Sequence, residues 1–380
     1  MTTADDALPA DLKRVLGDRV RADSAERALL RRDASVFDGG SAGPTCLCES
    51  TEEVQRVVRI ALAHGRSVVP RGAGTGLAGG AIPLGAPVII SLSRMNRILE
   101  VDTDSRNAWV EPGVVNLDLT KHLTPLGYHF APDPSSQQVC TIGGNVGNNS
   151  GGPHCLAYGV TNAHILAIEV VLADGEIVTL GGLDAEPSGY DLRGVFIGGE
   201  GMLGITTKVA VRITPNPPAV RTLLLSFDTP RDAAATVSAV IAAGIVPAAM
   251  EVMDQRITIA VENYVNVGYP RDAGAVLLAE VDGLPDGVDI DAQRISDIGR
   301  EYGATDVRQA ESDEERTLLT HGLARARADF AAYGFCTSFS EWRKEINGIA
   351  APIVPIEGDR AFALNVGGVA FLNSAEELMQ

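Results

Sequence analysis

Apolar positions along the chain recur with two periods, and the switches between them mark the elements. Ser50-Thr51-Glu52-Glu53 reads as a capping box, with the Ser50 hydroxyl placed to satisfy the Glu53 amide and open a helix. Val54, Val57, Val58, Ala61 and Leu62 then fall on one helical face, and Gly65 stops the helix. A short strand, Ser67–Pro70, runs directly into Arg71-Gly-Ala-Gly-Thr-Gly-Leu-Ala-Gly-Gly80. Strands are predicted at Val88–Leu92, Ile98–Val101 and Ala108–Glu111, and a helix from Asn116 to Leu126 ended by Gly127. Ile165–Leu180 predicts a β-hairpin, with Asp174-Gly175 as a type I′ turn. Gly204–Thr214 predicts one more strand, and Pro215-Asn-Pro-Pro218 closes a domain.

After that proline cluster the order becomes strand Leu223–Phe227, helix Asp232–Ala243, strand Ala248–Val252 and a short helix near Ile257–Tyr264. Strand Ala275–Val281, helix Val288–Tyr302 and strand Thr305–Gln309 follow, so two β-α-β units in tandem predict a ferredoxin-like α+β layer. From about Thr317 on, Phe330, Phe335, Phe339 and Trp342 crowd together and give the last section its own character. The expected domains are 1–218, 219–316 and 317–380.

Composition narrows the function classes. The chain has 380 residues, 31 basic and 49 acidic, hence a formal charge of 31 − 49 = −18. That balance argues against a nucleic-acid or anionic-membrane surface. Cysteines are sparse and odd in number, 5 in all, so a disulfide scaffold is not expected and the reducing cytoplasm fits. The N-terminus shows no targeting segment, and the apolar window Ala233–Met250 is broken by Gly244 and Pro247, so a helix followed by a strand is expected there in place of a membrane span. Cys46-Leu-Cys48 lacks a second Cys or His pair that would complete a zinc site, and no metal is expected.

The chemistry lies in three glycine-rich segments at separate strand ends. Arg71–Gly80 contains Gly74-Thr-Gly76-Leu-Ala-Gly79, spaced as a dinucleotide fingerprint, but Ala81-Ile-Pro83 follows where that motif needs a helix. A backbone cradle for a diphosphate suits it better than a Rossmann site. The second segment is Pro132-Asp-Pro-Ser-Ser136 with Thr141-Ile-Gly-Gly-Asn-Val-Gly-Asn-Asn-Ser-Gly-Gly152; its hydroxyls and amides offer donors to a flat polar ligand. The third, Gly198–Thr206, carries a single carboxylate, Glu200, suited to ribose hydroxyls.

These motifs together resemble the vanillyl-alcohol-oxidase family with its PCMH-type FAD-binding domain, nearest to glycolate oxidase and the FAD-linked D-lactate and D-2-hydroxyglutarate dehydrogenases, over about residues 20–310. The resemblance implies FAD held by two α+β subdomains, followed by a truncated ferredoxin-like cap and a short α+β tail. It places Arg71, Gly72, Ala73, Gly74, Thr75, Gly76 and Leu77, with Thr141, Gly143, Gly144 and Asn145, along the diphosphate. Pro132, Ser135, Ser136 and Gly151 fall toward the flavin, and Glu200, Gly204 and Ile205 toward the ribose and adenine. His154 stands close enough in sequence to consider a covalent flavin link, but a solvated or core histidine is the expectation. Arg71 is read as a contact to phosphate or carboxylate, or else a surface charge; Glu251 and Asp254 as cavity carboxylates, or as hydrogen-bonding groups that hold the cap.

The family chemistry implied is oxidation of a small D-2-hydroxy acid to the 2-oxo acid, with hydride passing to flavin N5. The resemblance also leaves room for an electron-transfer partner subunit. Relatives of this kind carry a histidine-rich divalent metal site in the C-terminal part, whereas His321 is the only histidine here beyond residue 164, and no catalytic residue is assigned. Residues 317–380, through Ala326–Trp342, Asn347–Pro352 and Ala363–Phe371, instead resemble the end of an IclR-type effector-binding domain, with Cys336 expected to be a buried structural thiol. The alternative is therefore a flavin-binding fusion or relic with impaired turnover and a tail that senses a small molecule.

Overall fold

The computed structural model describes residues 4–312 apart from 38, 184–188 and 266–267, and beyond them residues 315–316, 319, 352–353 and 362–363. Phe330, Phe335, Cys336, Phe339 and Trp342, and the likeness drawn for the tail, lie outside the described residues. The chain divides into two units, one of Met1–Gly152 with Gly159–Asn216, the other of Pro153–Tyr158 with the chain from Pro217 on.

The first unit holds two sheets. Helix α1 (Ala4–Leu16), β1 (Val20–Arg21), α2 (Ser24–Leu29), β2 (Thr45–Leu47), α3 (Thr51–Ala63), β3 (Val68–Arg71) and β4 (Val88–Ser91) form a layer with strand order β1-β2-β4-β3. β2, β4 and β3 run parallel, and β1 is antiparallel to β2. Helix α3 forms for the reason its sequence suggests: Ser50 Oγ accepts from the Glu53 amide at 3.3 Å, and Val54, Val57, Val58 and Ala61 are buried with Leu8, Leu12 and Ile90 in one core. Glu53 departs from the expected reciprocal box. Its carboxylate accepts from the Glu49 amide at 2.8 Å and pairs with both terminal nitrogens of Arg19, while Leu62 lies outside the core at 59% exposure.

The second sheet takes β5 (Ile98–Asp102) and β6 (Asn107–Val110), then helix α4 (Asn116–Leu123), β7 (Tyr128–His129), α5 (Ile142–Asn148) and α6 (Cys155–Tyr158, of the other unit) intervene. β8 (Ile165–Val171), β9 (Ile177–Gly181), α7 (Leu192–Phe196), β10 (Ile205–Arg212) and β11 (Thr214–Pro215) complete it in the all-antiparallel order β5-β6-β10-β8-β9, with β11 paired to β7. The β8–β9 connection differs from the expected type I′ turn. Only Gly175 has positive φ (+80°), and its amide bonds the Leu172 carbonyl at 2.9 Å, so the loop is an ordinary type I turn closed by a left-handed glycine. Asp174 would need a left-handed backbone in a type I′ turn, and one extra loop residue removes that need.

The second unit is a four-stranded antiparallel sheet, β13-β14-β12-β15, built from β12 (Ala219–Phe227), α8 (Pro230–Ala242), β13 (Ala249–Asp254), α9 (Gln255–Val265), β14 (Ala275–Gly283), α10 (Pro285–Glu301) and β15 (Ala304–Gln309). This is the ferredoxin-like order expected from the two β-α-β units, with α9 inserted. Leu223, Leu225, Leu277 and Ala279 face one core with Val240 and Ile295, and alternate residues Leu224, Val276 and Leu278 face a second with Val261 and Tyr269. Asp254 caps α9 by accepting from the Ile257 amide at 2.8 Å. No helix of the described residues is long and apolar enough to cross a membrane; Ala233–Met250 forms most of α8 and the start of β13.

Candidate functional site

The second glycine-rich segment supplies an element that its composition hides. Ile142-Gly-Gly-Asn-Val-Gly-Asn148 is the helix α5, although its three glycines each disfavour helix by roughly 1 kcal/mol relative to alanine. Three features offset that cost. Thr141 caps the start, its Oγ1 accepting from the Gly144 amide at 3.2 Å. Asn149 ends the helix in the left-handed region at φ +50°. Ile142 and Val146, one turn apart, are fully buried against Ile168, Val170 and Val209 of the second sheet, which is worth about 1.5–3 kcal/mol for each side chain. With its apolar side packed on the sheet, α5 turns glycine backbone to its other neighbours.

Those neighbours are the other two glycine-rich segments. A β-carbon placed on Gly72 would lie 2.7 Å from Thr141 Oγ1, and one on Gly76 3.2 Å from Asn148 Oδ1, so the first segment runs along α5. The third is bonded to the same helix: the Gly198 amide donates to the Val146 carbonyl and the Glu200 amide to the Gly147 carbonyl, each at 2.9 Å. A β-carbon on Gly80 would collide with the Glu200 carboxylate, and one on Gly201 with the Pro70 ring. Glu200 itself holds φ +50°, an unfavourable backbone for a residue with a side chain. The first and third segments, more than a hundred residues apart in the chain, thus meet along one short helix of the second, all inside the first unit.

The predicted site residues take different places in this arrangement. Ala73, Leu77 and Ser135 are exposed, and Gly72, Gly74, Thr75, Gly76, Ser136, Gly143, Gly144, Gly151, Glu200 and Gly204 half-buried. Pro132 lies buried beside α4, its carbonyl accepting from Asn116 Nδ2 at 2.9 Å. A β-carbon on Gly143 would press on Pro112 at 2.6 Å. Ile205 begins β10, and its side chain belongs to the first core with Val171. Arg71 is not an open cation: it is 8% exposed, Nη1 donates to the Ala81 carbonyl at 3.3 Å, and burial pulls its pKa below the usual arginine range while Asp33 pushes it back up.

Other groups gain partners that the sequence did not forecast. His154 Nε2 stands 3.3 Å from Glu280 Oε1, and Thr222 Oγ1 donates to Glu280 Oε2 at 3.0 Å, all within the second unit. Tyr158 donates to Asp282 on the same strand, β14, as Glu280. Cross-strand register explains the cluster: Thr222 and Glu280 are direct partners in the β12–β14 ladder, a fact no single segment reveals. Cys46 and Cys48 are buried, and burial pushes the Cys46 thiol up to about 12. No group of three or more metal-ligating side chains occurs among the described residues.

An FAD binding domain family matches residues 44–181, and the C-terminal domain of FAD linked oxidases matches residues 216–342. The chain thus carries matches to both the FAD-binding and the C-terminal domain of FAD-linked oxidases. The second match runs past residue 316, where the sequence pattern had ended the cap. Glycolate oxidase subunit GlcD of Escherichia coli is 44% identical over 280 residues, 74% of this chain and 56% of its own length. GlcD of Bacillus subtilis is 41% identical over 74% of this chain and 60% of its own length, and D-lactate dehydrogenase of Anaerostipes hadrus 36% identical over 72% and 59%. The chain therefore spans between 56% and 60% of the lengths of these relatives. Among solved structures, an alkyldihydroxyacetonephosphate synthase superposes with a TM-score of 0.71 at 22% identity, covering 86% of this chain and 64% of that one. A 4-ethylphenol oxidase from Gulosibacter chungangensis gives 0.71 at 22% identity, covering 87% and 72%. These two share the fold.

The family's cofactor is FAD, and the residues present fit it. Asn145 is 0% exposed, yet neither its Oδ1 nor its Nδ2 has a partner among the described residues; Asn116 Oδ1 is in the same position. An unmet buried amide costs about 1–3 kcal/mol, so side chains of this kind persist where a ligand or water meets them. Asn145 lies in α5, the helix around which the three loops gather. The glycines there leave backbone exposed where a β-carbon would otherwise stand, which suits close approach by a long, anionic and many-donored molecule.

Proposed function

We propose that this chain is the FAD-carrying part of an oxidoreductase that converts a D-2-hydroxy acid, of the glycolate or D-lactate class, into the 2-oxo acid. The carrying observation is the meeting of the three loops on α5 with the unpaired Asn145 amide among them. The identities of 41–44% with glycolate oxidase subunits support the substrate class. In this reading, backbone amides of Gly72–Leu77 line the diphosphate, and Thr141–Asn145 border it through the Asn145 side-chain amide, because the Ile142, Gly143, Gly144 and Asn145 backbone amides already donate to the Val114 and Pro112 carbonyls, Thr141 Oγ1 and the Thr141 carbonyl. Pro132, Ser135, Ser136 and Gly151 border the flavin; Glu200, Gly204 and Ile205 border the ribose and adenine, where Glu200 accepts from ribose hydroxyls. FAD supplies the acceptor for the Cα hydride of the substrate. The protein binds, orients and excludes water, and an electron-transfer partner subunit would draw off the electrons.

The test is anaerobic titration of FAD-reconstituted protein with glycolate, D-lactate and D-2-hydroxyglutarate, followed by visible absorbance. One of the three is expected to bleach the flavin band. A protein that stays colourless with added FAD overturns the cofactor site. One that binds FAD yet is bleached by none overturns the hydroxy-acid activity and leaves a flavin-binding protein without this turnover.

A further inference from the structure

Helix α4 starts without a side-chain cap. Val115 stands at its N-cap, and the first amides of the helix donate instead into residues 132–140: Asn116 to the Cys140 carbonyl at 3.0 Å and Leu117 to the Gln137 carbonyl at 2.9 Å. The stretch leading into α4 also holds α5, since the Gly143 and Ile142 amides donate to the Pro112 and Val114 carbonyls, each at 2.8 Å. Residues 112–117 therefore join the turn before α5 to the start of α5 itself, although they lie outside all three glycine-rich segments.

Most of these are backbone bonds that any residue but proline can make. The tie to Pro132 is different, because it needs a side-chain donor at position 116: Asn116 Nδ2 donates to the Pro132 carbonyl at 2.9 Å. A carbonyl only accepts, so it fixes which end of the amide faces it. Asn116 is 0% exposed, and its Oδ1 is left buried with no partner among the described residues. An unmet buried oxygen is a standing cost to the fold, so the amide is there for its donor. Pro132-Asp133-Pro134 is a stiff stretch, because both rings lock φ and the second disfavours helical backbone at Asp133. Anchoring Pro132 therefore aims Ser135 and Ser136, which follow it. The turn beyond closes on itself, Gln137 donating to the Pro134 carbonyl at 2.7 Å and Cys140 to the Ser136 carbonyl at 2.8 Å.

We propose that Asn116 is a positioning residue: its side-chain amide holds Pro132 so that Ser135 and Ser136 keep a fixed place relative to α5, and it thereby sets where the flavin lies relative to the diphosphate. This rests on the FAD reading of the site, in which Pro132–Ser136 border the flavin.

Hydrogen exchange read by mass spectrometry, with and without saturating FAD, tests this in wild type, Asn116→Ala and Asn116→Leu. The leucine keeps the branched shape of the side chain without its donor, and it carries the comparison if the alanine variant fails to fold. In wild type, FAD should slow exchange over both 71–80 and 132–140. Without FAD, each variant should exchange about fivefold faster over 132–140, the effect of one neutral hydrogen bond. With FAD bound, protection over 71–80 should persist while that over 132–140 is lost. FAD affinity should fall about fivefold, and the visible flavin band should shift as its surroundings change. A merely structural role would strip both segments alike, and that result overturns the proposal. Wild-type exchange over 132–140 in either folded variant also overturns it, as does a wild type whose bound FAD leaves 132–140 unprotected. If wild type takes up no FAD, the FAD reading fails, and exchange in the apo variants still judges the Asn116–Pro132 tie alone.

Discussion

Gly72→Ala isolates the contact between the first and second glycine-rich segments. The new methyl would stand 2.7 Å from Thr141 Oγ1 but 3.9 Å from Thr141 Cβ, so the conflict is with one oxygen. That oxygen caps α5 through the Gly144 amide at 3.2 Å. Thr141 can escape by rotating χ1 to a rotamer that places hydrogen in the contested space, and what is lost is the cap, about 1 kcal/mol. This converts to roughly a fivefold faster opening of the first turn of α5. Thr141→Ala should cost about the same by losing the cap outright. In the double variant the oxygen that clashes is already gone, so the second substitution adds nothing, and exchange of the α5 amides should equal that of Thr141→Ala. Hydrogen exchange read by mass spectrometry over residues 140–150 measures all three, and FAD affinity should fall in the same order. Independent costs would instead multiply to about 25-fold in the double variant. That result would refute the claim that Thr141 Oγ1 is where the loops touch.

Ser50→Ala removes the oxygen that accepts from Glu53 at 3.3 Å and should destabilise the first turn of α3 by about 1 kcal/mol, seen as faster exchange there while Arg19–Glu53 keeps the helix in place. Cys46 and Cys140, pushed up by burial to about 12 and about 11, should stay unmodified by a thiol reagent at pH 8 in the native protein and react once it is unfolded; peptide mapping reads both. Burial alone would raise Glu280, but hydrogen bonds from His154 and Thr222, with the His154 charge, hold it below the usual value of 4.5. A depressed carboxylate stabilises the fold above its unfolded pKa and loses that contribution as pH falls through the folded one. Denaturant midpoints of the wild type should therefore drop as pH falls below 4.5, and Glu280→Gln should flatten that limb; an unchanged slope would mean that Glu280 is not the titrating group.

Local sequence determined most elements here because periodicity and caps are short-range. Ser50 and the Val54–Ala61 stripe place α3, Gly127 ends the α4 turn, and alternating apolar positions place the strands of both units, with ends displaced by a few residues. The tandem β-α-β pattern was enough for the ferredoxin-like order of the second unit. The three glycine-rich segments were also legible as chemistry, since clustered glycines serve close backbone approach. Tertiary structure decided what those segments do to one another. Composition hides α5, because three glycines contradict helix propensity and only burial of Ile142 and Val146 against a distant sheet reverses it. Arg71 looks in sequence like an open ligand for an anion, and becomes a buried tie once Ala34 and Ala81 close around its loop. Glu280 and Thr222 are ordinary strand residues until register sets them opposite each other, with His154 alongside. Pairing, burial and register join residues far apart in the chain, so no window of sequence contains them.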